Sequence, residues 1–113
     1  MIAAKNNSKV CLIYLRVSTG KQGVDGLGTK AQEDMARAKA EELGLEVIGV
    51  FKEVESGRKN KRPEFVKMMK MAIDTGAVVI VAAMSRLTRN FNFMSHIADL
   101  SERHGIGIVA CDV

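Results

Sequence analysis

The sequence predicts an α/β domain of three layers, with helices on both faces of a mostly parallel four-stranded sheet. Three observations carry that prediction. Apolar, β-branched runs alternate with runs of helical periodicity in the order βαβαβαβ. The runs at 10–17 and 77–84 are almost continuously apolar, as strands covered on both faces are. Polar clusters bearing arginine follow each of the first three strands, where open parallel sheets collect their ligands.

The elements follow in order. A polar lead precedes the first strand at 10–17, whose run Val10-Cys11-Leu12-Ile13-Tyr14-Leu15 ends in Arg16-Val17-Ser18. Residues 18–29 hold four glycines and no hydrophobic periodicity, which predicts a long, mobile loop. Helix-forming residues fill 30–43, with Ala31, Met35, Ala38 and Glu42 or Leu43 on one stripe and Gly44 as the stop. A second strand is predicted at 45–51 and a polar loop at 53–62. Pro63 suits a first helical position and Glu64 a first turn; Phe65, Met68 or Met69, Ala72 and Ile73 then keep helical spacing up to Gly76. The third strand, at 77–84, gives way to Ser85-Arg86-Leu87-Thr88-Arg89-Asn90. Asn92 is placed as the cap of a third helix with the stripe Phe93, Ile97, Leu100 and His104, and 106–111 forms the last strand.

At 113 residues the chain is large enough for one hydrophobic core and too small for two. It is 47% hydrophobic and 27% charged, with a net charge of +4 that suits a polyanionic partner without requiring one. Cys11 and Cys111 lie in apolar runs at opposite ends, without the spacing of a disulfide framework or zinc site, and read as reduced thiols in a cytoplasmic protein. No run approaches the ~18 apolar residues of a membrane span, so no membrane partner is expected. An end directly after an apolar run suggests a piece of something longer.

Arg16 and Ser18 are two residues apart, which on an extended strand gives one face and roughly 7 Å between backbone positions. A planar cation beside a hydroxyl could hold a phosphate next to a nucleophile. Arg86 and Arg89, three apart after the third strand, would face the same point if the first and third strands are neighbours. The plainer alternative makes Arg16, Arg86 and Arg89 solvated surface residues and Ser18 the start of a turn.

These residues resemble the catalytic domain of the serine recombinases, the resolvase and invertase group. The likeness rests on Tyr14-Leu15-Arg16-Val17-Ser18-Thr19, the glycine-rich loop, Gln32, Ser56-Gly57 with Arg62-Pro63 behind it, and Ser85-Arg86-Leu87-Thr88-Arg89-Asn90. It implies a resolvase-like fold and a site-specific DNA recombinase. In such a protein Ser18 attacks a DNA phosphodiester, giving a 5′-phosphoserine link and a 3′-hydroxyl, with no metal, nucleotide or other cofactor. The partners implied are DNA and further copies of the protein, a dimer passing to a tetramer, in a bacterial or mobile-element setting. By the same resemblance Arg16, Arg86 and Arg89 bind the scissile phosphate, Arg62 supports them, and Gln22 and Gln32 are loop glutamines near the site. Ser85 stands where many relatives have aspartate, which puts any role of that carboxylate in doubt here. A long dimerisation helix and a DNA-binding domain, which relatives carry, are not in these 113 residues.

Two rival readings fit less well. For a nucleotide-binding module, Gly26, Gly28 and Ala31 match G-x-G-x-x-A, but they lie too far from the first strand, and Lys30 is one position off a phosphate-binding loop lysine. A receiver-like interaction module on the same sheet would want acidic residues at the ends of strands one and three, where this chain has Arg16 and Arg86.

Overall fold

A computed structural model describes residues 8–18, 28–55, 62–82 and 91–111. The elements are β1 (Val10–Ser18), α1 (Thr29–Glu42), β2 (Glu46–Glu55), α2 (Pro63–Thr75), β3 (Val78–Val81), α3 (Phe91–His104) and β4 (Ile108–Ala110). The four strands form one sheet in the order β2-β1-β3-β4, and every pairing is parallel.

Alternation along β1 divides the core in two. Leu12 and Tyr14 join Val79, Val81 and Ile108 under α2 and α3, which contribute Phe65, Met68, Ala72 and Ile97. Cys11, Ile13 and Leu15 join Val78, Ile80 and Val109 on the opposite face, covered by Ala36 and Ala40 of α1. The handedness of parallel crossovers accounts for this split: the chain steps one way from β1 to β2 and the other way from β2 through β3 to β4. The reversal puts α1 on one face and α2 and α3 on the other, and makes the β1/β3 junction the topological switch point.

β2 carries an irregularity, since Cys11 pairs with Val47 and Leu12 with Gly49. A Cβ on Gly49 would lie 3.0 Å from Leu12 Cδ2, so the close approach of β2 to β1 favours glycine here. Beyond the last β1–β3 rung, Ile13 with Ile80, β1 and β2 stay paired for five more residues, to Ser18 with Glu55. β3 itself ends one residue later, at Val81, so at ~3.3 Å per residue this two-stranded ribbon outruns it by about 13 Å.

Several sequence expectations need correction. β2 extends to Glu55, so Glu53 is a strand residue and not part of a loop. The longer pairing with β1 holds it there despite the charges of Lys52 and Glu53. α1 buries Gln32, Ala36 and Ala40. Met35 is 37% exposed, and the stripe through Met35 and Ala38 is thus turned outward. Two alanines let the helix lie close on the sheet, which a methionine at the same point would prevent. Asn92 falls inside α3, which begins at Phe91. His104 is exposed, Ile97 holds the buried stripe, and Ile73 at the end of α2 is 43% exposed. The strands β3 and β4 are shorter than the apolar runs that signal them. No disulfide joins Cys11 and Cys111, the first buried and the second half-buried. The expected mobile loop falls largely on residues outside those described.

Candidate active site

The described polar groups that converge lie where the β1/β2 ribbon leaves the sheet. Arg16 sits opposite Glu53 in the β1–β2 register, and Ser18 closes β1 opposite Glu55. With β3 already ended, the backbone of Arg16 lacks a strand on one side. Gln32, fully buried in the first turn of α1, takes that place. Its Nε2 donates to the Arg16 carbonyl at 3.2 Å, and its Oε1 accepts from the Arg16 N–H at 3.4 Å. One side-chain amide thus makes both contacts that a residue of a neighbouring strand would make.

Glu53 is 4% exposed, a depth at which a carboxylate needs partners. Its Oε1 accepts from the Tyr14 hydroxyl at 3.1 Å and from the Phe65 N–H at 3.0 Å, and its Oε2 accepts from the Glu64 N–H at 3.4 Å. The reason lies in how α2 starts. Arg62 occupies the cap position and makes no side-chain cap bond, and Pro63 at the first helical position has no N–H. The open donors of the first turn therefore fall to Glu64 and Phe65, and a carboxylate from β2 accepts from both. Its charge also suits the positive end of the helix.

Tyr14 is fully buried, its ring set edge-on to Phe65 with centroids 5.5 Å apart and planes at 79°. Burial first, and the Glu53 charge second, push its phenol well above the ordinary tyrosine range. Half-buried Arg62 lies near enough for its charge to act on that hydroxyl and to oppose these two effects. Burial and the neighbouring Arg16 charge hold Arg62 below the usual arginine value, with Tyr14 and Glu53 opposing them. Arg16, Arg62, Tyr14 and Glu53 therefore form one electrostatic cluster. Two guanidiniums against one carboxylate leave it one positive charge in excess.

Of the residues singled out in the sequence, the structure brings together Arg16, Arg62 and Gln32 beside the end of β1. Gln32 lies in a helix and not in a loop, and its amide is engaged by the Arg16 backbone. Gln22, Arg86 and Arg89, with Ser85 and Ser56-Gly57-Arg58, lie outside the described residues. Glu53 and the hydroxyl of Tyr14 were not singled out. The signal that could have found them is the missing cap: Arg62-Pro63 opens a helix with no Ser, Thr, Asp or Asn at the cap position, so the acceptor must come from elsewhere. Among the described residues, no three His, Cys, Asp or Glu side chains converge as a metal site would require, and no helix is long and apolar enough to cross a membrane.

Comparison with known proteins points one way. The family model described as the resolvase N-terminal domain matches residues 11–113. A resolvase from Escherichia coli is 33% identical over 81 residues, a match covering 72% of this chain and 34% of that protein. This chain thus corresponds to about a third of that relative's length. Among solved structures, the N-terminal catalytic domain of TP901-1 integrase superposes with a TM-score of 0.75 at 26% identity, over 92% of this chain and 78% of that one. The C-terminal catalytic domain of ISC1926 TnpA, described as an IS607-like serine recombinase, gives 0.73 at 27% identity, over 89% and 66%.

Proposed function

The chain belongs to the family of resolvase N-terminal domains, and on that footing we propose that it is the catalytic domain of a longer site-specific DNA recombinase whose nucleophile is Ser18. The observation that carries the reading is the pairing of Arg16 with Arg62 at the switch-point end of β1, two residues from Ser18. The excess positive charge of this cluster matches the single negative charge of a DNA phosphodiester. Ser18 is the last residue of β1, two positions beyond Arg16.

In the proposed step the Ser18 oxygen forms a bond to phosphorus as the bond from phosphorus to the 3′-oxygen breaks. The leaving oxygen takes up a proton and becomes a 3′-hydroxyl, while the 5′ phosphate remains esterified to Ser18. Rejoining is the reverse, with the hydroxyl of another strand as the attacker. The ester conserves the bond energy, so neither nucleotide nor metal is called for. Guanidiniums already in place favour the serine alkoxide and offset the charge that builds on the phosphate oxygens. Arg16 and Arg62 supply two such groups; Arg86 and Arg89 are assigned the same work by their motif. Gln32 acts through the Arg16 backbone, and Gln22 is assigned a supporting role by the resemblance alone. DNA is the proposed partner, with pairs of subunits assembling around it.

The test is a DNA adduct. With a nicked crossover-site duplex that traps cleavage, and with EDTA present, the protein carrying this domain is expected to form a covalent complex whose DNA-linked peptide contains Ser18. Ser18→Ala is expected to bind the same duplex and give no adduct. An adduct at Tyr14 or Ser56, or cleavage that requires magnesium, would overturn the assignment.

A further inference from the structure

On the helices, Lys30, Arg37, Lys39, Lys67 and Arg103 each pair with a carboxylate about one turn away. Lys52 on β2 has no such partner among the described residues. It is exposed, and its neighbours on the same face of the strand are Val50 and Val54, 37% and 50% exposed, which do nothing to offset its charge. Exposed Lys9 and Lys70 are in the same condition but far from the cluster at Arg16 and Arg62. Lys9 lies about 23 Å back from Arg16 along the strand direction, and Lys70 about 12 Å along α2 from Arg62. Lys52 is the one that stands beside the site.

Its place on the ribbon gives that charge a use. Lys52 pairs with Leu15, one rung before Arg16 and Glu53, at a level where β1 and β2 have outrun β3. Strands ~4.8 Å apart with a rise of ~3.3 Å per residue put the Lys52 and Arg16 backbones about 6 Å apart. Leu15 belongs to the face covered by α1 and Tyr14 to the face covered by α2, so alternation gives Lys52 the first and Arg16 the second. A DNA strand carries one phosphate per ~3.4 Å of duplex axis, so a phosphate held at Arg16 brings its neighbours alongside a ribbon only two strands wide. We propose that Lys52 binds a backbone phosphate flanking the scissile one, from the face of the ribbon opposite Arg16, so that the projecting ribbon stands between two phosphates of one strand. The inference rests on the reading of Arg16 and Ser18 as the place of cleavage. β2 is also an edge strand, where a lysine discourages pairing with other sheets. That role makes no demand on DNA, and the two can be separated.

Lys52→Gln removes the charge and leaves a polar side chain on an exposed position, and Lys52→Arg keeps the charge. Binding of the crossover-site duplex by the protein that carries this domain is followed by fluorescence anisotropy over a range of salt concentrations. Lys52→Gln is expected to bind about fivefold more weakly, with the slope of log affinity against log salt reduced by about 0.9, the share of one phosphate. Lys52→Arg is expected to keep both. The same binding is then measured with an uncharged methylphosphonate placed at each phosphate near the cleavage point in turn. One position beside the scissile phosphate is expected to cost the parent about fivefold and to cost Lys52→Gln nothing further, because the pair is already broken.

An unchanged salt slope in Lys52→Gln would overturn the proposal. Methylphosphonate effects that are the same in parent and variant at every position would overturn it too, since no phosphate would then be coupled to Lys52. Self-association of Lys52→Gln in sedimentation, with DNA binding intact, would show that the lysine guards the edge of β2 and nothing more. The readout is binding and not cleavage. A parent protein that binds the duplex and forms no Ser18 adduct therefore fails the proposed function alone, and the methylphosphonate comparison still decides whether Lys52 meets a phosphate.

Discussion

Glu53 is the residue on which two otherwise separate structures depend, and its removal has a cost that can be worked out in advance. Glu53→Ala leaves the buried Tyr14 hydroxyl and the Phe65 N–H without their acceptor, and weakens the Glu64 N–H, already long at 3.4 Å. Each well-formed bond lost in a buried setting costs about 1–2 kcal/mol, and the lost charge at the helix end roughly a further 0.5 kcal/mol. The sum is about 3 kcal/mol, a large share of the 5–15 kcal/mol typical of a domain. With a urea slope of about 1.5 kcal/mol per molar, the midpoint should fall by about 2 M. Glu53→Gln retains a carbonyl for Tyr14 and Phe65 and gives up the charge, so about 1 kcal/mol is expected. Combining Glu53→Ala with Tyr14→Phe should recover about 1 kcal/mol, because the stranded hydroxyl is then gone. Urea unfolding followed by circular dichroism measures all four chains. A Glu53→Ala chain within about 0.5 kcal/mol of the parent would refute the reasoning, as would a double mutant whose cost is simply additive.

Arg16→Ala, Arg62→Ala, Arg86→Ala and Arg89→Ala are each expected to leave the circular dichroism spectrum intact and slow adduct formation by about 10²; near-parental cleavage removes that arginine from the site. Gln32→Ala strips both contacts from the Arg16 backbone and should cost about 1 kcal/mol in urea, with faster hydrogen exchange at the Arg16 amide; an unchanged Arg16 amide would show that the contact holds nothing. In alkali the folded chain keeps the Tyr14 proton while the unfolded chain releases it near the ordinary value of about 10, so this contribution is intact below about pH 10 and stability declines above it. Absorbance at 295 nm reports the one tyrosine, and a tyrosinate signal near pH 10 with native circular dichroism would contradict the burial argument.

What could be read from the sequence was whatever local chemistry decides. α2 announces both its ends, with Pro63 at the first helical position and Gly76 just beyond, where φ is 73°. The layer order followed from alternation, and the guanidinium at the end of β1 from a motif. What escaped was decided by partners distant in sequence. Lys52 and Glu53 look like loop residues until β1, thirty-seven positions away, pairs with them. Gln32 breaks the apolar pattern of α1 because it is buried for the Arg16 backbone and not for the core, and that break turned the expected stripe toward Met35. The cap of α2 comes from another element, and a search for local capping residues passes over it.

These misses have a common physical origin, which also explains why the site lies where it does. A strand that runs beyond its neighbour exposes backbone groups, and a helix that opens on Arg-Pro exposes N–H donors. Either would ordinarily be mended with water or trimmed away. Here both defects are filled by buried polar side chains, Gln32 for the strand and Glu53 for the helix, at a desolvation cost that a purely apolar junction would not incur. The consequence is that β1 and β2 hold their shape past the edge of the sheet, and α2 begins beside them at a fixed point. Arg16 and Arg62, one on each, are therefore brought together by backbone that cannot readily relax. Two like charges kept adjacent before any anion arrives are poor for stability and well suited to a phosphate.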